Sequence, residues 1–269
     1  DVYQMTDSKT GMRQKNFRWR CRDCKQQFTV KKGTVMEDSP IPLRHWCYAF
    51  WRAATSKKGV SALEIKRQTG LSYKSSLFLL HRIRYAMSDT KPGPLGGDVE
   101  IDETRIGGKP RVHSQRAQTE KAPVLAMIER GGRARVRRIA DVTSETLGKE
   151  MFKHVDGSAR IMTDELPAYR SLGAFFDGGH ETVNHRRKEY ARGDVTTNRA
   201  ESFFALMKRG LHGIYHAVSH EHLHRYCDEF EFRFSNRELR DGERTTLAIK
   251  QAEGKRLTYA EQVGAKQAT

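Results

Sequence analysis

Val99-Glu-Ile-Asp-Glu-Thr-Arg-Ile-Gly-Gly-Lys109 opens the part of the chain whose pattern decides the fold. Val99 and Ile101 alternate with Glu100 and Asp102, the period-two signature of a strand that packs one face. Working outward, Val124 to Ile128 is a second apolar run, and Gly131-Gly132 turns it into a third strand from Arg133 to Val142. The alternation then changes. Ser144 to His154 reads as a helix, Ala159 to Thr163 as a short strand, the stretch from Leu166 as a helix with Pro167 in its first turn, and Glu181 to Asn184 as a fifth strand. Long helices follow over Asn198 to Arg209 and Ser219 to Asn236.

Three antiparallel strands followed by strands alternating with helices predict a mixed α/β sheet, in the order of an RNase H-like fold. The acids fall at telling places in it. Asp102 lies on the first strand, opposite in face to Val99 and Ile101, and Asp164 ends a later strand, so adjacency of the two strands makes the carboxylates neighbours. Like charges side by side need a cation, and Mg²⁺ or Mn²⁺ prefers oxygen ligands. Glu201 sits on a helix whose apolar stripe is Ala200, Phe203, Phe204, Met207 and Leu211. Lys208, seven residues on, returns to within about 20° of the Glu201 face and roughly 10.5 Å along the axis. Asn198 lies on the adjacent face. Each of these taken alone reads equally as a cap or a solvated surface charge. Together they are the donor set of a two-metal phosphoryl-transfer site, in which carboxylates from distant elements hold two ions about 4 Å apart.

The remaining sequence concerns DNA. The 269 residues carry a formal charge of +16, with +11 of it in residues 1–90. That is the electrostatic footprint of a polyanion binder. There is no run of 18 apolar residues and no charged-then-apolar leader, which predicts no membrane span and a cytoplasmic, nucleoid-associated bacterial protein. Cys21 and Cys24 form a Cys-x2-Cys turn, one rung of a zinc ribbon; the second pair is absent, and the start at Asp1 reads as a fragment or processed chain. Leu43, Trp46, Cys47, Phe50 and Trp51 predict one helix face. Ser61 caps a second helix, Gly70 turns, and Ser72 opens a third with Ser76, Leu79, Leu80 and Ile83 inward. This spacing is that of a helix-turn-helix, which would present Tyr73, Lys74 and Ser75 to a DNA groove. Arg105, Lys109, Arg133, Arg135 and Arg137 are candidate contacts to the DNA backbone. The expected organisation is a zinc-ribbon remnant at 1–33, a helix-turn-helix module at 34–90, a linker at 91–97, a catalytic domain at 98–240 and a C-terminal tail at 241–269.

Val99 to Lys109, Thr163-Asp-Glu-Leu-Pro-Ala-Tyr169 and Thr197-Asn-Arg-Ala-Glu-Ser-Phe-Phe-Ala-Leu-Met-Lys-Arg-Gly210 closely resemble the three catalytic blocks of Merlin-like bacterial insertion-sequence transposases. Tyr215 to Arg237 resembles their C-terminal helical block, and the half ribbon with Gly33 to Leu43 their N-terminal module. The resemblance runs from about Arg18 to Arg237. It implies an RNase H-like DDE domain, Mg²⁺-dependent cleavage and strand transfer at transposon ends, and terminal-repeat recognition by the N-terminal module; the acids would take two Mg²⁺ or Mn²⁺ ions per site, joining two ends calls for a homodimer or larger assembly on double-stranded DNA, and Cys21 and Cys24 are half of a Zn²⁺ ligand set that is not expected to hold the ion on its own. By position it implies Asp102 and Asp164 as the first two catalytic acids, with Glu201 or Asn198 as the third. Glu201 is preferred, because a carboxylate binds a cation better than an amide. Where the family often carries His, this chain has Thr197. The competing readings are a domesticated DNA-binding regulator and a structure-selective nuclease on the same fold.

Overall fold

The computed structural model describes residues 1–13, 18–90, 92–107 and 121–263; Lys109 lies outside them. The chain begins with a small antiparallel sheet of β1 (Val2–Gln4), β2 (Trp19–Cys21) and β3 (Gln27–Phe28). Three helices follow, α1 (Leu43–Thr55), α2 (Ala62–Thr69) and α3 (Tyr73–Met87). Ser61 and Ser72 cap α2 and α3 by accepting from the backbone N–H of Glu64 and Ser75, and Gly70 closes α2 at φ +74°, where a Cβ would be strained. The buried stripe of α1 is Trp46, Ala49, Phe50, Ala53 and Ala54, while Cys47 and Trp51 are exposed. The expected face was therefore rotated in part: Trp46 and Phe50 point inward as expected, but Ala49, Ala53 and Ala54 complete the stripe in place of Cys47 and Trp51.

The main sheet has five strands, β4 (Asp98–Ile106), β5 (Ala122–Glu129), β6 (Ala134–Arg138), β7 (Arg160–Thr163) and β8 (His180–Thr182), in the order β6-β5-β4-β7-β8. The first three pair antiparallel, and β7 and β8 add in parallel, giving the expected mixed α/β sheet. Helix α4 (Ser144–His154) covers one face, over Val99, Ile101, Leu125 and Met127. The other face is covered by α5 (Asn198–Gly210) and α6 (Leu223–Ser235), over Val124, Ala126, Ile128, Ala134 and Val136. A small hairpin, β9 (Ala191–Arg192) with β10 (Val195–Thr196), lies between β8 and α5. Strand β5, flanked on both sides, is buried from Ala122 to Ile128, which is why it reads as an apolar run rather than an alternation.

Leu95 of the linker is fully buried and donates its N–H to the His154 carbonyl, so that stretch is tied to α4. The tail continues as α7 (Asp241–Lys250) and α8 (Tyr259–Val263). Ala248 of α7, together with Ala252 just after it and Phe232 of α6, joins the core formed by α1, α2 and α3. No helix among the described residues is long and apolar enough to cross a membrane.

Candidate active site

The β4–β7 register brings the first two acids together. Glu100 pairs with Met162, so two further residues along each parallel strand put Asp102 beside Asp164 on the same face. The helix expected from Leu166 is only a short 3-10 turn, Pro167–Tyr169. Its start is set by Asp164, whose Oδ1 accepts the Leu166 N–H at 3.0 Å, an Asx turn that competes with helix.

Glu201 is placed by a residue that sequence reasoning passed over. Glu100, fully buried and two positions before Asp102 on the same face, accepts the N–H groups of Arg199 at 2.7 Å and Ala200 at 3.4 Å. These are unpaired donors of the first turn of α5, where a carboxylate also meets the positive end of the helix dipole. Arg130 secures the other side of Glu100, donating Nε to Oε1 at 2.9 Å. The first turn of α5, which carries Glu201, is thereby pinned to the strand that carries Asp102. The signal was present in the sequence as an acidic residue within the strand, but its partners lie 30 to 100 positions away.

The electrostatics report the convergence. Burial, then the charges of Glu103 and Asp164, push the Asp102 carboxyl up to about 7, and the Glu201 charge adds to the push. Burial also raises Asp164, against the Leu166 N–H that stabilises its charged form. Glu103 is raised by burial too, although the Tyr169 hydroxyl donates to it at 2.6 Å. Glu201 Oε1 stands 3.6 Å from His185 Nε2 and accepts from Thr197 Oγ1 at 3.4 Å. His185 Nε2 is 3.3 Å from Thr197 Oγ1. Asn198 begins α5 and is exposed, its backbone N–H bonded to Thr196 Oγ1.

Among the described residues no three His, Cys, Asp or Glu side chains are gathered tightly enough to hold an ion as they stand. The donor set of the acids nonetheless suits a hard divalent cation: it is all oxygen, and its members repel one another. At the N-terminus, Cys21 and Cys24 supply two thiols where structural zinc takes four ligands.

The other expected residues are scattered. Lys208 is exposed on α5, its Nζ 6.0 Å from the Phe204 ring. Tyr73 is exposed at the start of α3, Lys74 lies over the rings of Phe78 and Tyr259, and Ser75 is half-buried. Arg105 is exposed. Arg133 pairs with Glu129 at 3.3 Å. Arg135 and Arg137 already have a partner inside the protein. Both bond Glu231 of α6, at 3.4 and 2.5 Å, and Arg135 is buried. Their charge is spent inside the protein.

The ISXO2-like transposase domain family matches residues 94–235. An uncharacterized protein in transposable element ISH50 of Halobacterium salinarum is 29% identical over 235 residues, which cover 80% of this chain and 78% of that relative. Among solved structures, a Mos1 transposase paired-end complex with the left transposon end superposes with a TM-score of 0.30 and 11% identity over 80% of this chain and 81% of its own. A pre-cleavage Mos1 transpososome gives 0.28 and 10% over 81% and 82%. Superpositions this loose do not bear on the site.

Proposed function

Because this chain belongs to the ISXO2-like transposase domain family, and is thus an insertion-sequence transposase of the DDE type, we propose that it cuts and joins DNA at Asp102, Asp164 and Glu201. The observation that carries this reading is the convergence of one acid from β4, one from the end of β7 and one from the first turn of α5, with Asp102 feeling the charge of the other two. The domain that carries them is read as RNase H-like. The N-terminal helices, as a helix-turn-helix, bind the terminal inverted repeats, with Tyr73, Lys74 and Ser75 at the groove and Arg105 and Arg133 at the backbone. Glu201, not Asn198, is the third acid, since its carboxylate lies within the electrostatic reach of Asp102. Asp102, Asp164 and Glu201 would hold Mg²⁺ or Mn²⁺, which supplies charge neutralisation for an in-line displacement at phosphorus. Lys208 holds a phosphate beside the cleaved bond. Cys21 and Cys24 are read as half of a zinc site, and a homodimer brings two such centres to the two transposon ends.

The test is incubation with a duplex containing a transposon end and Mg²⁺. The expected result is a nick leaving a 3′-hydroxyl, followed by joined product. Binding without cutting supports a regulator, and cutting without joining supports a nuclease. An Asp102→Ala or Asp164→Ala protein that still cuts overturns the site.

A further inference from the structure

The segment between β8 and α5 carries a surface that the acids do not account for. Tyr190 is 58% exposed, and Arg186, Arg187, Lys188 and Arg192 around it are exposed as well. Two of these cations have partial partners, Arg186 with Glu165 at 3.5 Å and Arg192 with Glu181 at 3.7 Å. The segment is held at both ends to the site. At its start, the backbone N–H groups of His185 and Arg186 donate to Glu165, the neighbour of Asp164, at 2.9 and 3.3 Å. At its end, Arg130 donates to the Asp194 carbonyl at 2.6 Å while also holding Glu100. Tyr190 itself is fixed by Thr196 Oγ1, which donates to its carbonyl at 3.3 Å, and by a T-shaped contact to the His185 ring at 5.4 Å. His185 in turn stands 3.6 Å from Glu201. A large ring is thus presented to solvent, one residue removed from the third acid, on a backbone that is not free to withdraw it.

We propose that Tyr190 is a stacking platform for an unpaired nucleobase of the DNA strand at the acids, with Arg186, Arg187 and Lys188 holding the phosphates that flank it. The inference rests on the acids being the place where DNA reacts. Inside a duplex both faces of a base are covered by its neighbours, so an exposed ring can stack only on a base that is unpaired or extruded. Open aromatic rings among cations are the usual means of binding single strands without reading sequence. Burial gives no competing reason for the ring, since more than half of its surface gains nothing from the fold.

The probes are two fluorescein-labelled DNAs of the same duplex sequence, one blunt and one with an unpaired thymidine tail at its 3′ end. Anisotropy titrations without divalent cation read binding to each. Tyr190→Ala is expected to weaken the tailed DNA about tenfold and the blunt DNA less than about twofold, as loss of one stacked base predicts. Tyr190→Phe is expected to retain wild-type binding, since the ring and not the hydroxyl stacks. An equal loss on both DNAs, no loss on either, or a Phe variant as weak as the Ala variant overturns the proposal. A wild-type protein that prefers the tailed DNA yet never cuts an end duplex with Mg²⁺ sinks the cleavage reading and leaves the stacking intact; one that cuts without that preference does the reverse.

Discussion

Replacing Glu229 by alanine removes the carboxylate that ties α3 to α6. Its side chain is 1% exposed and accepts from Arg84 Nε at 2.6 Å, from the Tyr215 hydroxyl at 2.6 Å and from Arg233. Arg84 and Arg233 are themselves buried, and Arg84 Nη1 and Arg233 Nε and Nη2 already have no hydrogen-bond partner among the described residues. The variant therefore leaves two guanidinium groups in the interior with no counter-charge, a defect that costs about 3–5 kcal/mol. The carboxyl gives a second route to the magnitude. Burial acts to raise it, but Arg233 and Arg84 outweigh burial and hold it at about 2 instead of 4.5. That depression corresponds to about 3 kcal/mol. Because the folded-state value is lowered, the stabilisation is complete above about pH 4.5 and is lost as pH falls towards 2. Thermal melts should show the alanine variant about 10 °C below wild type at pH 7, given the sensitivity of chains of this size. The gap should narrow on acidification through that window. A drop under about 3 °C, or a gap that ignores pH, would show that the arginines reach water or other partners and that the ion network does not weld the two cores.

Three other outcomes follow from the geometry. Asp102→Asn should abolish strand cleavage yet stabilise the metal-free protein, because a carboxyl raised from 3.8 to about 7 is a liability absent below about pH 4 and complete above about pH 7; melts without divalent cation should gain about 2–4 kcal/mol at pH 8 and little at pH 4. Glu100→Ala strips buried partners from Arg130 and from the first turn of α5, and should cost about 3 kcal/mol and slow cleavage even at saturating Mg²⁺; unchanged cleavage by the folded variant would refute its positioning role. Gly59→Ala places a Cβ 1.7 Å from the Tyr215 hydroxyl at φ +98°, so urea denaturation should show a loss of at least about 2 kcal/mol.

The sheet was legible because its strands are short periodic stretches set between turns, and the inward stripes of α3 and α5 because apolar residues recur at helical spacing. Ser76, Leu79, Leu80 and Ile83 are buried, and so are Ala200, Phe203, Phe204, Met207 and Leu211. Asp102 and Asp164 could be brought together from strand periodicity alone, provided the strands were neighbours. What stayed hidden depended on partners remote in sequence. Arg135 and Arg137 look like surface charges until Glu231 arrives from α6, 96 and 94 positions later. Glu100 looks like the polar half of an alternation until α5 sets its N-terminus on it. In α1, periodicity marked an amphipathic helix but could not tell which of two overlapping stripes faced inward. The segment after Arg240 gave no signal, because α7 needs the apolar surface of α1 to define its own inner face.

Glu201 differs from Asp102 and Asp164 in what holds it. Asp102 rides on β4 and Asp164 directly follows the neighbouring β7 of the same sheet, whereas Glu201 rides on a helix fixed at its two ends by different parts of the molecule. Glu100 of the sheet holds its start. At its far end, Gly210 leaves so little space that a Cβ would stand 2.7 Å from the Lys58 carbonyl oxygen and 2.5 Å from the Phe230 ring. Lys58 belongs to the turn between α1 and α2, and beyond Gly210 the chain runs through a π turn, Leu211–Tyr215, to the Tyr215 hydroxyl bonded to Glu229. Helix α5 therefore bridges the sheet and the N-terminal helices. A shift of those helices against the sheet moves the end of α5 and tilts its first turn about Glu100. The distance from Glu201 to the two aspartates is thus the one dimension of the site that depends on both cores. The buried Arg84–Glu229–Arg233 cluster ties α3 to α6 where the two cores meet.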